Sequence, residues 1–546
     1  MSRALVPFLN AAISTMQTAK STETARQPMA STLTRRIFSL PVLLGVLLVA
    51  GACLDRYWNL MNASLHQHVY SAYCFEGDMW WHLAVGKWIL ANHAWPTHDF
   101  YSFTAFGNPW IADQWLGDVV IAIFWGLGRM HALMVLLAVL AGGILLLLYY
   151  YAWLRSGSVK AAFLACALLL PLASLPFSMR PQILGSAFLV VALISLERFR
   201  QGHQRALWIL PPLFLLWVNT HGTFVLGFVA MGVYWVAGLR EFRLEYLETA
   251  AWKPDQRRRL ATIFLLCLVA CIITPYGTHM AAYPIQMTIF LPMIPQVVPE
   301  WHTLDFSRLY GQWFLVLLLV FVTGQLITRK KLQIAELLLL LFATGETILH
   351  ARFMLLWVPV FAPMLALVLA EWVDRKPAGR ERYALNAAVM AAACGAIVFL
   401  FPSRARLQKA VDLWNPTGAV RYLREHPANG HMLNFDDWGG YLIENLGQKV
   451  FIDGRADIYE PGGVLLDYLH IYYPQPQTFF LMRKYHIDSC LMPPDSPLVT
   501  LLAVMPDWKV AYRDQVSVLY THVINPEAGI STEDIRKQVP TPQGNP

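Results

Sequence analysis

Apolar residues fall in long uninterrupted runs along this chain, and the polar residues collect between them. Runs such as 37–54 and 132–154 contain no charge and reach the ~18 residues that a helix needs to cross roughly 30 Å of hydrocarbon. In lipid, backbone groups must be satisfied within the spanning element, so the pattern predicts helices. About eleven spans follow, at 37–54, 132–154, 159–177, 181–196, 206–218, 223–239, 260–275, 313–327, 332–349, 353–372 and 384–401. The fold class expected is mainly α: a polytopic helical membrane protein with a small α/β domain at its C-terminal end.

One further apolar stretch, "DQWLGDVVIAIFWGLG" at 113–128, would invert every later loop if it crossed. It is read instead as a helix lying at the membrane surface. The pattern thus divides the chain into a polar, disordered cytoplasmic N-terminus at 1–34, a transmembrane domain at 35–402 with a large first external loop at 55–131, an α/β domain at 403–525 and a flexible tail at 526–546. In the third part, "NPTGAVRYLREHP" reads as a capped helix, and "HMLNF", "KVFID", "DSCLM", "KVAY" and "VSVLY" as short strands. The run after "TRRIFSL", ending in "AGAC" at Cys53, has features of a signal sequence, but its length favours a retained anchor helix.

Composition agrees: 56% of the 546 residues are hydrophobic and 14% charged. The net charge of +7 resides in clusters at Arg35/Arg36, Arg155/Lys160, Arg198/Arg200/Arg205, Arg240 to Arg259, Arg329 to Lys331 and Arg375 to Arg382. They fall on one side of the threaded membrane, which the positive-inside rule makes the cytoplasm. A basic balance distributed in this way marks topology and excludes a nucleic-acid partner. Cys166, Cys267, Cys271 and Cys394 lie in apolar runs as small hydrophobes. Cys74 and Cys490 are either a bridge or two free thiols.

The opposite turns carry mixed polar groups: Glu76, Asp78 and His82 in "FEGDMWWHLAVGKW", then Asp113, Arg180, Asn219, His221, Tyr276, Glu300, His350 and Arg352. Ionisable groups at membrane level are costly unless they are used. Glu76 and Asp78, two apart, suit a general base with a helper, a divalent-cation site for Mg or Mn, or a solvated turn. The tryptophans nearby read as an interfacial belt or as platforms for a sugar or lipid. No recognised spacing supports zinc at Asp78, His82 and His98. Asp453 and Arg455 are polar candidates in the C-terminal domain, either at the site or in a salt-bridged turn.

"EGDMWWHLAVGKWI", "PTHDFYSFTAFGNPWIADQWL", "RPQ" at Arg180, "NTHGTF" at Asn219, "TPYG" at Thr274, "EW" at Glu300, "ARF" at Arg352, "DDWGGYL" at Asp436 and "FIDGRADIY" at Phe451 together resemble the GT-C superfamily of polytopic membrane glycosyltransferases. The likeness extends over nearly all of the chain after Arg35 and is greatest to a bacterial group related to the protein mannosyltransferase and lipid A aminoarabinose transferase branch. It implies a polyprenyl-phosphate-linked sugar donor, a lipid, glycan or protein acceptor, and work at the external face of a bacterial inner membrane. The family's catalytic aspartate matches Asp78, with Glu76 in the companion acidic place. Arg352 and Arg180, with His221, Asn219 and His350, are candidates for the phosphate by position. The sequence lacks a clear second Asp-x-Asp in a later external loop, which favours transfer of one sugar from a monophosphate donor. A lipid-linked glycan transporter or flippase is the rival; such proteins tend to place ionisable groups near the midplane, often in repeated halves. A polysaccharide polymerase or ligase is the nearest enzymatic alternative.

Overall fold

The computed structural model describes residues 29–61, 76–374, 381–428 and 430–523. Each apolar run predicted as a span is helical: Leu40–Met61, Trp115–Ser156, Val159–Ala173, Gln182–Arg200, Leu210–Val218, Phe224–Ala237, Pro254–Ala270, Leu309–Thr328, Ile334–Leu349, Met354–Val373 and Tyr383–Phe399. Among the described residues, five helices are long and apolar enough to cross a membrane, or six if Tyr383–Phe399 and Arg404–Trp414, bent by 59°, form one span. About eleven is thus a count of apolar helices, several of them shorter than a full crossing. The chain is a mainly helical, multi-pass membrane protein.

Helix Met354–Val373 sits at the centre, with Trp357, Phe361 and Ala362 fully buried, and packs on Val159–Ala173 and Trp115–Ser156. Pro359 and Pro363 lie inside it, tolerated because neighbouring helices can satisfy the freed backbone groups. The long helix Trp115–Ser156 is broken at Gly128 and Arg129, the latter at φ 54°. The break falls where the predicted surface helix gives way to the predicted span.

Some elements depart from the sequence pattern. Residues 29–34, expected to be unstructured, belong largely to a short helix, Met29–Ile37; the remainder of that segment, the tail at 526–546 and Cys74 lie outside the described residues. Thr278–Phe290 is a helix that the pattern does not predict. The basic segment after Arg240 folds into β1 (Phe242–Arg243) and β2 (Leu247–Thr249), which pair with each other, and β2 pairs in turn with β3 (Leu332–Gln333). Cys53 is buried within an unbroken helix.

The C-terminal domain holds β4 (His431–Asn434), β5 (Ile487–Met492), β6 (Trp508–Arg513) and β7 (Val518–His522), in the order β4-β5-β7-β6. "KVFID" is not one of its strands: Val450 makes an isolated bridge to Ser102, tying the domain to the loop at 95–112. Helix Thr417–Glu425 forms as predicted, but Pro416 precedes it without a side-chain cap. Cys490 is a buried free thiol on β5.

Helix Gly77–Asn92 joins the two parts. Met79, Trp80, Leu83 and Ala84 enter the large core that runs from the membrane helices to Trp438 and Tyr441, while Trp81, Val85 and Ile89, at i, i+4 and i+8, enter a second core made mostly of C-terminal residues. Residues four apart lie on one helical face, so two apolar stripes bury this helix on both sides.

Candidate active site

The sequence ahead of the first turn of Gly77–Asn92 sets its chemistry. Glu76 is the N-cap and Asp78 lies in the first turn, where the positive end of the helix dipole favours carboxylates. Across from them, Pro181 begins the approach to Gln182–Arg200 and aims Arg180 at the pair. Its Nε stands 2.6 Å from Glu76 Oε1, and one terminal nitrogen 3.1 Å from Asp78 Oδ2. The other terminal nitrogen is 3.4 Å from Glu300 Oε1, on the short turn Pro299–Trp301. Asp78 Oδ1 accepts a hydrogen bond from Trp81 Nε1 at 3.1 Å.

The Asp78 side chain keeps 25% exposure and that of Glu300 28%. These groups line an opening rather than fill a core, although protein surrounds them closely. Burial raises Asp78 and Glu76 above their ordinary values, against the opposing pull of Arg180. Burial also works to raise Glu300, but Arg352, Arg180 and His221 together outweigh it and hold that carboxylate below its usual range. With Glu76, Asp78 and Glu300 ionised, one arginine faces three negative charges, and protonating one of the carboxylates relieves the crowding.

Arg352 sits differently. Its guanidinium lies over the Trp301 ring, 4.2 Å from the centroid, and among the described residues it makes no ion pair. Next to it His350 donates from Nδ1 to the Trp301 carbonyl at 2.7 Å, which leaves Nε2 as an acceptor when the ring is neutral. Burial, then Arg352, pushes His221 down to about 3. The backbone N–H of Thr223 donates to His221 Nδ1 at 3.2 Å, so the neutral ring carries its proton on Nε2 and can donate from there. An apolar cleft lined by Leu148, Phe177, Val190, Met354, Leu355 and Val358 adjoins the segments that carry Arg180 and Arg352.

Other predicted residues are occupied with the fold. The Asn219 amide accepts from Trp115 Nε1 at 2.8 Å and donates to the Leu215 and Ile273 carbonyls; it is a bracket between helices with little left for a ligand. Tyr276 donates to the Pro96 carbonyl at 2.8 Å. His82 is buried against Asp118, Nδ1 to Oδ1 2.6 Å, where burial drives it well below its ordinary value, and the contact ties two helices together. Asp453 and Arg455 are fully enclosed with Asp99 and Tyr459. They form the salt-bridged turn and do not reach the opening. Asp113 stays apart from the Arg180 group; burial and Asp457 push it up to about 8.

The residues that could hold a divalent cation, Glu76 and Asp78, already share the guanidinium of Arg180, whose positive charge stands between them. No group of three potential metal ligands occurs among the described residues. What sequence reasoning missed is that Asp437 of the C-terminal domain meets the first turn of Gly77–Asn92. The Asp437 carbonyl lies 2.0 Å from where a Cβ on Gly77 would stand. Asp437 is exposed, yet the protein around it and then Asp436 push it up to about 8. The "DDWGGYL" motif was the available signal, but nothing local says which helix it meets.

No protein-family model and no curated protein matches the sequence. Among solved structures, the chain is similar to AglB, the oligosaccharyltransferase of Archaeoglobus fulgidus, in complex with an inhibitory peptide and a dolichol-phosphate, at 11% identity over 86% of this chain and 70% of that one, with a TM-score of 0.48. It is similar to ArnT of Cupriavidus metallidurans bound to undecaprenyl phosphate, at 13% identity over 87% of this chain and 97% of that one, with a TM-score of 0.47. It is also similar to the arabinofuranosyltransferase AftD from Mycobacteria, at 11% identity over 88% of this chain and 40% of that one, with a TM-score of 0.47. No residue role is taken from these likenesses.

Proposed function

We propose that this protein is a membrane glycosyltransferase of GT-C type. It transfers one sugar from a polyprenyl-phosphate donor to an acceptor hydroxyl, at the external face of a bacterial inner membrane. The observation that carries this reading is the division of labour between two arginines. Arg180 is committed to Glu76, Asp78 and Glu300, whereas Arg352 keeps its charge without a carboxylate partner within ion-pair distance among the described residues. A partly open carboxylate of raised pKa, with an unpaired guanidinium on the other side of Glu300, suits proton removal from one reactant and charge stabilisation on another.

In this mechanism Asp78 accepts the proton of the acceptor hydroxyl as its oxygen bonds to the anomeric carbon. The bond from that carbon to the phosphate oxygen breaks, and its electron pair leaves with polyprenyl phosphate. Attack from the face opposite the phosphate inverts the anomeric centre. Arg352 and the Nε2–H of His221 are suited to the developing phosphate charge, with His350 beside them. Arg180 and Glu76 set the orientation and proton affinity of Asp78.

Asp78→Asn keeps the shape of the site and removes the base. In membrane vesicles given labelled polyprenyl-phosphate sugar, transfer is expected to fall at least ~100-fold with the protein still folded. Full transfer by this variant would refute the mechanism.

A further inference from the structure

We propose that the C-terminal domain is a working part of the reaction centre, with Gly454 as a positioning residue that fixes the rotamer of Asp78. This rests on the reading of Asp78 as the base. A Cβ at Gly454 would stand 1.8 Å from Asp78 Oδ1, 3.0 Å from its Cγ and 3.1 Å from Trp81 Nε1. Real side chains do not approach that closely, so residue 454 and Asp78 compete for the same space. The glycine is not there for backbone freedom, because its φ lies outside the left-handed region.

Both sides are held by their neighbours. The neighbours of Gly454 are Asp453 and Arg455, locked to each other, to Asp99 and to Tyr459 in a buried network. On the other side, the first turn of Gly77–Asn92 is gripped by the same domain. A Cβ on Gly440 would lie 2.7 Å from the Gly77 carbonyl oxygen and 2.8 Å from the Trp81 nitrogen. Asp78 therefore has one oxygen on Trp81 Nε1 and the other on Arg180, and its remaining lone pairs are available to a reactant. The charged groups bearing on Asp78 are Glu76 at the start of its own helix, Arg180 and Glu300 from the membrane domain, and Asp436, Asp437 and Asp453 from the C-terminal domain.

The test compares the full-length protein with Gly454→Ala, Trp81→Phe and, as control, Gly462→Ala, whose nearest neighbour is a Val464 methyl at 3.8 Å. Labelled polyprenyl-phosphate hexose and pentose are the donors in membrane vesicles. Gly454→Ala is expected to lower kcat by ~10–100-fold, the scale of a displacement near 1 Å, with the donor KM nearly unchanged. The acidic limb of kcat should move to higher pH, since the Trp81 bond that favours ionised Asp78 is lost. Trp81→Phe should move the limb the same way with a smaller loss, and Gly462→Ala should change neither. Independently of donor identity, hydrogen exchange of amides 79–82 should accelerate in Gly454→Ala and not in the control. Wild-type exchange in Gly454→Ala, or a rate loss that only follows the folded fraction with an unmoved limb, would overturn the proposal. An active Asp78→Asn would instead overturn the reading on which it rests.

Discussion

Two arginines hold carboxylates at this end of the protein, and they do opposite things. Arg455 bonds Asp453 through two nitrogens and lies 2.8 Å from Asp99, with every partner at 0–1% exposure. It also stacks over Tyr101 and Trp110. Arg180 gathers Glu76, Asp78 and Glu300, but those side chains keep 16–28% exposure. The first set closes on itself and leaves no group for a reactant. The second is crowded with negative charge and open on one side, so its protons and bonds can change. Burial separates a staple from a candidate reaction centre here, because the residue types are nearly the same.

The largest effect that would break this comparison is expected at Arg455. Arg455→Met leaves Asp453 and Asp99 buried without a counter-charge, which costs about 3–5 kcal/mol. Thermal melts of the detergent-solubilised protein should show a large fall, while transfer per folded molecule should fall less than in Arg180→Gln. Next comes Arg180→Gln, expected to cost ~10–100-fold in transfer with a much smaller change in melting, because its partners are already open to solvent. Equal stability losses at the two positions would erase the distinction drawn here.

The smallest effect concerns Asp437. In the unfolded chain its carboxyl titrates near the ordinary value of about 4, and in the fold near about 8. The fold thus holds the proton more tightly, so this contribution to stability is complete below the unfolded pKa and is lost as pH rises through about 8. Asp437→Asn cannot ionise, and its stability relative to wild type should improve between pH 5 and 9. The gain should stay under about 1 kcal/mol, since the exposed side chain is screened by solvent. Melts at the two pH values decide it.

Much of the helical part was legible because hydrophobic period and length are local properties. The apolar runs became helices, and the surface stretch ended where the backbone breaks at Gly128 and Arg129. Glu76 and Asp78 also stand out in the sequence as candidates, since acidic residues beside a membrane segment are costly. The bonds of Asn219 to Trp115, Leu215 and Ile273 were not legible, because a buried amide that satisfies neighbouring carbonyls looks, in sequence, like one that binds a substrate. The partner of His82 was not legible either, because Asp118, 2.6 Å away, belongs to the next helix.

By itself the sequence determined the membrane class of the protein, its apolar helices, the strands β4 to β7 and the presence of an acidic motif near a tryptophan cluster. These follow from patterns within a few turns of chain, where neighbours in sequence are neighbours in space. Only the tertiary structure decided that Arg180 lies between Glu76, Asp78 and Glu300, that Arg352 remains unpaired among the described residues, and that Gly454 meets Asp78. Those contacts join positions more than a hundred residues apart, and whether a charge becomes a staple or a reagent depends on how much water its packing leaves it.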